Sequence, residues 1–163
     1  TSFRMDSNGM VNKMNAITEF RGEFRFLSNF YSCSVNFQGK LYKTVEHAYQ
    51  ASKTDDSSSR DFISKLPTPG KAKQYGKCLV PSDEWHLGKL ALMEQLVTQK
   101  FENPFLRPAL LATDGFDLVE ENTWHDNWWG SCQCQKCDKE VKYNHLGKIL
   151  MKVRENIKKE EQL

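Results

Sequence analysis

Thr44-Val-Glu-His-Ala-Tyr-Gln-Ala-Ser-Lys53 reads as one short helix and its exit. Thr44 suits the cap, where a hydroxyl accepts a bond from a backbone N–H of the first turn. At roughly 100° per residue, Glu46, Gln50 and Lys53 at i, i+4 and i+7 fall within about 60° of one another. Val45, Ala48 and Tyr49 form a neighbouring apolar stripe that can turn toward a core, which leaves an acid, an amide and a cation at its rim. Such a trio can recognise and cleave a polar, phosphorylated molecule. Taken by itself, the stripe is equally a solvated face with a weak Glu–Lys pair.

Upstream, residues 17–42 read as short strands. Phe24-Arg-Phe26 alternates, and Ser34 to Tyr42 forms a hairpin turning at Gln38-Gly39-Lys40. Downstream, Asp55 to Ser59 is a polar break before a helix over Ser59 to Leu66. Thr68-Pro69 then starts a lysine-rich helix over Gly70 to Lys77, because a cap followed by proline is a start signal. The longest periodic element begins near Ser82, and its apolar residues from Trp85 to Phe101 lie on more than one side, as in a central helix. Pro104 to Ala112 is a short helical segment, and Asp117 to Glu120 an edge strand. In the last helix Leu146, Ile149, Leu150, Val153 and Ile157 mark a single apolar stripe. Together these elements predict an α+β, helix-dominated single domain with a small antiparallel sheet from the N-terminal third. Residues 14–160 make up that domain, and residues 1–13 are set apart as a tail or cloning remnant.

The 163 residues fit one domain with a sizeable core. No run approaches the ~18 apolar residues of a membrane span, and the polar first ten residues lack a secretory signal. The net charge of +2, from 23 basic and 21 acidic residues, argues against a nucleic-acid scaffold held by bulk charge. Five cysteines, an odd number without an export signal, point to free thiols in a reducing compartment and hence to a cytoplasmic protein.

Three more segments can carry chemistry. Around Ser28 and Asn29, the aromatics of Arg21 to Tyr31 frame a tight turn that can offer backbone donors and an amide to a ligand. Thr123 to Gly130 crowds three tryptophans around His125 and Asp126, and carboxylates among indoles are rare unless paired or functional. Cys132-Gln-Cys-Gln-Lys-Cys137 has the C-x-C-x-x-C spacing of a thiolate cluster suited to Zn²⁺. A closed site needs a fourth ligand, for which His125, His145, Asp138 and Cys33 are candidates that the sequence does not rank. The alternative is a loop of free thiols.

Taken together, these segments resemble the NADAR family, which includes the YbiA-like N-glycosidases. The matching pieces are Phe26-Leu-Ser-Asn-Phe-Tyr31, Tyr42 to Lys53, Thr68-Pro-Gly-Lys-Ala-Lys73, Trp85, Asp126 to Gly130, and Asn144-His-Leu-Gly-Lys-Ile-Leu-Met151. In that order they cover roughly Glu19 to Glu155; the N-terminal dozen residues and the cysteine loop lie outside the typical part.

The resemblance implies hydrolysis of an N-glycosidic bond between a ribose and an amine-bearing base. One branch removes ADP-ribose from guanine in nucleic acid, and another cleaves phosphoribosylamino-pyrimidine intermediates of riboflavin synthesis. Carried over, Glu46, Trp85 and Asp126 are the catalytic candidates. Breaking the C–N bond develops positive charge on the sugar, which a fixed carboxylate stabilises or attacks while a second acid handles water or the leaving group. Glu46, in the first turn of its helix, suits the first role, and Asp126 the proton transfer, although the division can be reversed. Asn29, Gln50 and Lys53 fall in matching pocket segments, with Ser28, Phe30, Tyr49, Trp129, Gly130 and Asn144 as further substrate contacts. Arg21, Lys53 and Lys73 are the candidate phosphate partners. The spread of these cations, the surplus of aromatics and the lack of a fused riboflavin-pathway domain in this sequence favour the larger substrate, ADP-ribosylated DNA or RNA. Catalysis requires no cofactor in this reading, and zinc, if held, is structural. The rival readings are the riboflavin-intermediate hydrolase, a module that binds ADP-ribose without turning it over, and a zinc-stabilised nucleic-acid-binding protein.

Overall fold

The computed structural model describes residues 15–162 and, upstream, the backbone of two short strands, β1 (Arg4–Met5) and β2 (Val11–Asn12), which pair antiparallel. The rest of the expected tail over residues 1–13 lies outside the described residues. There follow β3 (Ala16–Ile17), a 3₁₀ turn over Gly22–Leu27, β4 (Val35–Phe37), β5 (Lys40–Tyr42), α1 (Val45–Ala51), α2 (Ser57–Lys65), α3 (Pro69–Gly76) and α4 (Asp83–Lys100). The remainder comprises α5 (Leu106–Leu111), β6 (Asp117–Leu118), β7 (Glu121–Asn122), β8 (Ser131–Cys132), a 3₁₀ turn over Gln135–Cys137, and α6 (His145–Glu161). Two compact units result. One spans Ser28–Asn103; the other holds the described residues up to Leu27 and from Pro104 onward.

In the unit Ser28–Asn103, Gln38 and Gly39 have φ of 48° and 85°, the pair of positive angles that a two-residue type I′ turn demands. They close β4 onto β5 in the expected antiparallel hairpin, with Val35 opposite Tyr42. Helix α1 lies at the centre of this unit, packed against α2, α3, α4 and both hairpin strands. All seven of its residues are buried. Its cap is Thr44, whose Oγ1 accepts from the His47 backbone N–H at 3.1 Å. The same hydroxyl lies 2.7 Å from His47 Nδ1, while Nε2 lies 3.0 Å from the Leu66 carbonyl oxygen. A carbonyl only accepts, so Nε2 carries the proton and the Thr44 hydroxyl donates to Nδ1. Burial, the largest influence, pulls the His47 pKa down and holds this neutral ring.

Three more helices start on side-chain caps: Asp56 for α2, Thr68 before Pro69 for α3, and Ser82 before Asp83 and Glu84 for α4. The Asp56 cap begins α2 at Ser57, inside the stretch expected to be a polar break. Along α4 the expected burial on several sides occurs only in the second half, at Met93, Leu96, Val97 and Lys100. Leu87, in the first half, is 87% exposed.

In the other unit, Phe24-Arg-Phe26 belongs to the 3₁₀ turn rather than a strand. Alternation over three residues cannot outweigh Gly22, whose φ of 57° breaks extended backbone just before it. The segment expected as an edge strand is β6, paired in parallel with β3, and Leu118 is fully buried. β7 and β8 also pair in parallel, so the antiparallel expectation holds for the β1–β2 and β4–β5 ladders but not for these two, one of which starts from β3 in the N-terminal third. Helix α6 buries the predicted stripe of Leu146, Ile149, Leu150, Val153 and Ile157 against β6 and α5. Each such side chain contributes about 1.5–3 kcal/mol relative to exposure. Gly147 permits the approach, since a Cβ there would overlap the Leu118 carbonyl oxygen. Among the described residues no helix is long and apolar enough to cross a membrane.

Candidate active site

Glu46, in the first turn of α1, is 7% exposed, low for a carboxylate. Its Oε1 accepts from Gln50 Nε2 at 2.7 Å, the i, i+4 contact that the spacing predicts. The Glu46 backbone N–H donates to the Asn29 carbonyl at 3.1 Å, which brings the Ser28–Asn29 turn to the start of the helix. Asn29 is buried, and its Nδ2 donates to Met93 Sδ at 3.5 Å. Two amide oxygens here, Asn29 Oδ1 and Gln50 Oε1, are buried with no hydrogen-bond partner. A bare buried acceptor costs about 1–3 kcal/mol, so the pair calls for a donor such as a water or a hydroxyl.

The turn itself is held from beneath. Ser28 Oγ accepts from the Phe30 N–H at 3.1 Å, and the Ser28 carbonyl accepts from Lys100 Nζ at 2.7 Å. Lys100 is 1% exposed, with the Tyr31 and Phe101 rings 5.6 and 5.3 Å from its ammonium. Burial pulls its pKa down to about 7, against a smaller upward pull from Cys33.

Lys53 follows the helix rather than lying in it, and its ammonium sits 5.6 Å from the ring centres of both Tyr49 and Trp85. Those rings are tilted together with centroids 5.4 Å apart. Trp85 is fixed by its Nε1–H, which donates to Ser52 Oγ at 2.8 Å, and the Ser52 hydroxyl in turn donates to the Tyr49 carbonyl. Lys89 approaches the Trp85 ring at 5.7 Å and Lys73 the Phe30 ring at 6.0 Å. The Lys53 pKa is lowered, first by burial and then by Lys89 and Lys73, while Glu46 opposes the shift. Lys89 and Lys73, each close enough to act on Lys53 beside aromatic faces, make with it a region where an anion is favoured.

The structure therefore brings together Ser28, Asn29, Phe30, Glu46, Tyr49, Gln50, Lys53, Lys73 and Trp85 in one unit. Ser52, Gly76, Lys89, Met93 and Lys100 belong with them and escape the sequence reading. Only Lys89 carried a signal, four residues after Trp85 on the same helix face.

Arg21, Asp126, Trp129, Gly130 and Asn144 belong to the other unit. There Asp126 Oδ1 accepts from the backbone N–H groups of Trp128 and Trp129, at 3.1 and 2.9 Å. Asn144 uses both ends of its amide on backbone, accepting from the Glu120 N–H and donating to the Leu118 carbonyl. Gly130 allows a close approach, because a Cβ there would overlap the Glu120 carbonyl oxygen. Arg21 is exposed. The cysteine loop folds onto one candidate fourth ligand, His125, whose Nδ1 lies 3.3 to 3.9 Å from the three thiol sulfurs.

Residues 18–158 match the model of the NADAR domain. An N-glycosidase of Nostoc punctiforme is 36% identical over 137 residues, spanning 80% of this chain and 84% of that one. N-glycosidase YbiA of Escherichia coli is 33% identical over 133 residues, 80% of this chain and 79% of its own. A riboflavin biosynthesis protein of Vibrio vulnificus is 32% identical over 137 residues, 81% of this chain but only 35% of that longer protein. The NMR structure of E. coli YbiA superposes with a TM-score of 0.76 at 29% identity, covering 90% of this chain and 86% of that one.

Proposed function

The chain belongs to the NADAR family and is a hydrolase acting on N-glycosyl bonds, and we propose that it removes ADP-ribose from ADP-ribosylated guanine in DNA or RNA. The observation that carries this reading is the buried Glu46 carboxylate, bonded to Gln50 and next to two amide oxygens that lack donors. Hydrolysis adds a water oxygen to the anomeric carbon, the C–N bond electrons leave with the base nitrogen, and water supplies the proton that this nitrogen gains. As the bond stretches, the sugar becomes cationic, and a carboxylate fixed in a dry site lowers that barrier without reorganising. Gln50 orients Glu46 by its amide N–H. The oxygens of Gln50 and Asn29 accept hydrogen bonds from ribose hydroxyls.

The finer choice of substrate rests on the lysines and rings. Lys53, Lys73 and Lys89 are distributed over Tyr49, Trp85 and Phe30 rather than gathered at one point, which suits a diphosphate joined to an adenosine. Stacking on such rings contributes roughly 1–3 kcal/mol per base. Asp126, the second acid of the sequence reading, holds its own turn with one oxygen, and the proposal does not depend on it. A cytoplasmic setting is part of the reading, on the strength of the odd cysteine count and a thiolate-cluster spacing suited to a reducing compartment.

The test offers the protein two substrates in parallel: an oligonucleotide carrying ADP-ribose on guanine, and a phosphoribosylamino-pyrimidine. Release of free ADP-ribose from the first, inhibited competitively by added ADP-ribose, is expected. Turnover of the second with none of the first would assign the chain to the riboflavin branch. Tight binding of ADP-ribose without cleavage of either would make it a recognition module.

A further inference from the structure

We propose that His125, Cys132, Cys134 and Cys137 form a structural zinc site that pins both ends of the Asp126–Gly130 turn. The four donor atoms all lie within 4.8 Å of one another. His125 Nδ1 is 3.3 Å from Cys134 Sγ, 3.4 Å from Cys137 Sγ and 3.9 Å from Cys132 Sγ. In a tetrahedron with Zn–S of about 2.3 Å and Zn–N of about 2.05 Å, a nitrogen–sulfur edge is about 3.5 Å long. The three observed separations bracket that value, and the sulfurs, at most 4.8 Å apart, need to draw in by no more than about 1 Å to reach the tetrahedral sulfur–sulfur edge of about 3.8 Å.

The ligand chemistry narrows the choice of ion. Three thiolates and one imidazole are a soft set, matching zinc rather than a hard cation such as Mg²⁺ or Ca²⁺. Cys132 and Cys137 are buried, Cys134 is partly so, and His125 closes the exposed side. With all four positions filled by protein, no site remains for water or substrate, which marks the ion as structural. Binding converts three thiols to thiolates and releases their protons to solvent.

The placement of the ligands gives the site its role. His125 directly precedes Asp126, and Cys132 lies two residues past Gly130, so the metal would tie together the two ends of the segment carrying Asp126, Trp128 and Trp129. Cys132 is already linked to that segment, its N–H donating to Asn127 Oδ1 at 2.8 Å. Cys134 precedes and Cys137 ends the 3₁₀ turn Gln135–Cys137, closed by the Cys137 N–H on the Cys134 carbonyl at 3.1 Å. His125 has φ of 69°, a conformation that non-glycine residues seldom adopt and that a metal bond would hold.

Metal analysis of the full chain, purified under reducing conditions without added chelator, tests this. About one zinc per chain is expected. Exchange into Co²⁺ should give the visible bands of a tetrahedral centre and a near-ultraviolet thiolate charge-transfer band. Cys134→Ser and His125→Ala should each lose the ion, and Cys78→Ser, a thiol outside the cluster, should keep it. Because a ligand variant can also lose metal by unfolding, wild-type hydrogen exchange is compared with and without the metal. The Trp128 and Trp129 amides should exchange faster once zinc is removed, while those of α1 are unchanged. Reduced, folded protein that takes up neither zinc nor cobalt would overturn the proposal. So would metal retained by both ligand variants, or turn amides that do not respond to its removal.

Discussion

Gly76 has no side chain where α3 faces the Gln50 amide; a Cβ there would overlap Gln50 Oε1 and Cδ. The obstacle is the far end of a flexible side chain, so the mutant folds and Gln50 moves away from Glu46. Gly76→Ala is therefore expected to cost about 1–3 kcal/mol of stability, because the buried Gln50 amide must shift in a packed site and give up its bond to Glu46. Activity should fall about tenfold or more, since a hydrogen bond to a charged group is worth about 1.5–3 kcal/mol. Thermal melts and initial rates on the same preparation check it; a destabilised but fully active protein would make Gly76 a packing residue only. Lys100 makes a different prediction. Its ordinary pKa of 10.5 applies to the unfolded chain, while burial in the folded chain brings it to about 7. Between those values the unfolded state binds more protons, so this residue makes stability rise with pH from about 7 to about 10.5. Below about 7 the full penalty of the buried charge is present. Lys100→Met removes the titration and should flatten the rise of urea midpoints across that window. An unaltered slope would contradict the assignment.

Helix α1 is too short to be stable by propensity, so its cap and its burial must hold it. Thr44→Ala deletes both the acceptor for the His47 N–H and the donor to His47 Nδ1. A loss of about 1–2 kcal/mol in chemical denaturation is expected, and Thr44→Ser should recover most of it. Much at this scale is legible from sequence, because caps and periodicity are local. Thr44, Thr68-Pro69, the turn at Gln38-Gly39 and the α6 stripe all appear where their residue types place them. What escapes the sequence depends on partners far along the chain. The Phe24–Phe26 alternation is too short to specify a strand, and the parallel pairing of β3 with β6 joins residues about a hundred positions apart. The exposed first half of α4, with Leu87 in solvent, is not encoded by its helix period. Among site residues, the Glu46–Gln50 contact follows from i, i+4 spacing. Ser52, Gly76 and Lys100 come into the site only through tertiary contacts with Trp85, Gln50 and Ser28.

At the scale of the whole molecule, the acid, amides, rings and lysines of the proposed chemistry all lie within the unit Ser28–Asn103. The thiolate cluster and the indole-rich turn belong to the unit that contains α6. Family membership accounts for N-glycosyl hydrolysis, and the proposed role of Glu46 is what would break such a bond. The measurement that bears most directly on this account is the single-turnover rate of Glu46→Gln on an oligonucleotide carrying ADP-ribose on guanine. The exchange keeps the size and the Gln50 neighbour but removes the charge that the proposal sets against the sugar cation. A normally folded protein slowed on the order of 10²-fold or more is predicted. A folded Glu46→Gln protein releasing ADP-ribose at the wild-type rate would contradict it.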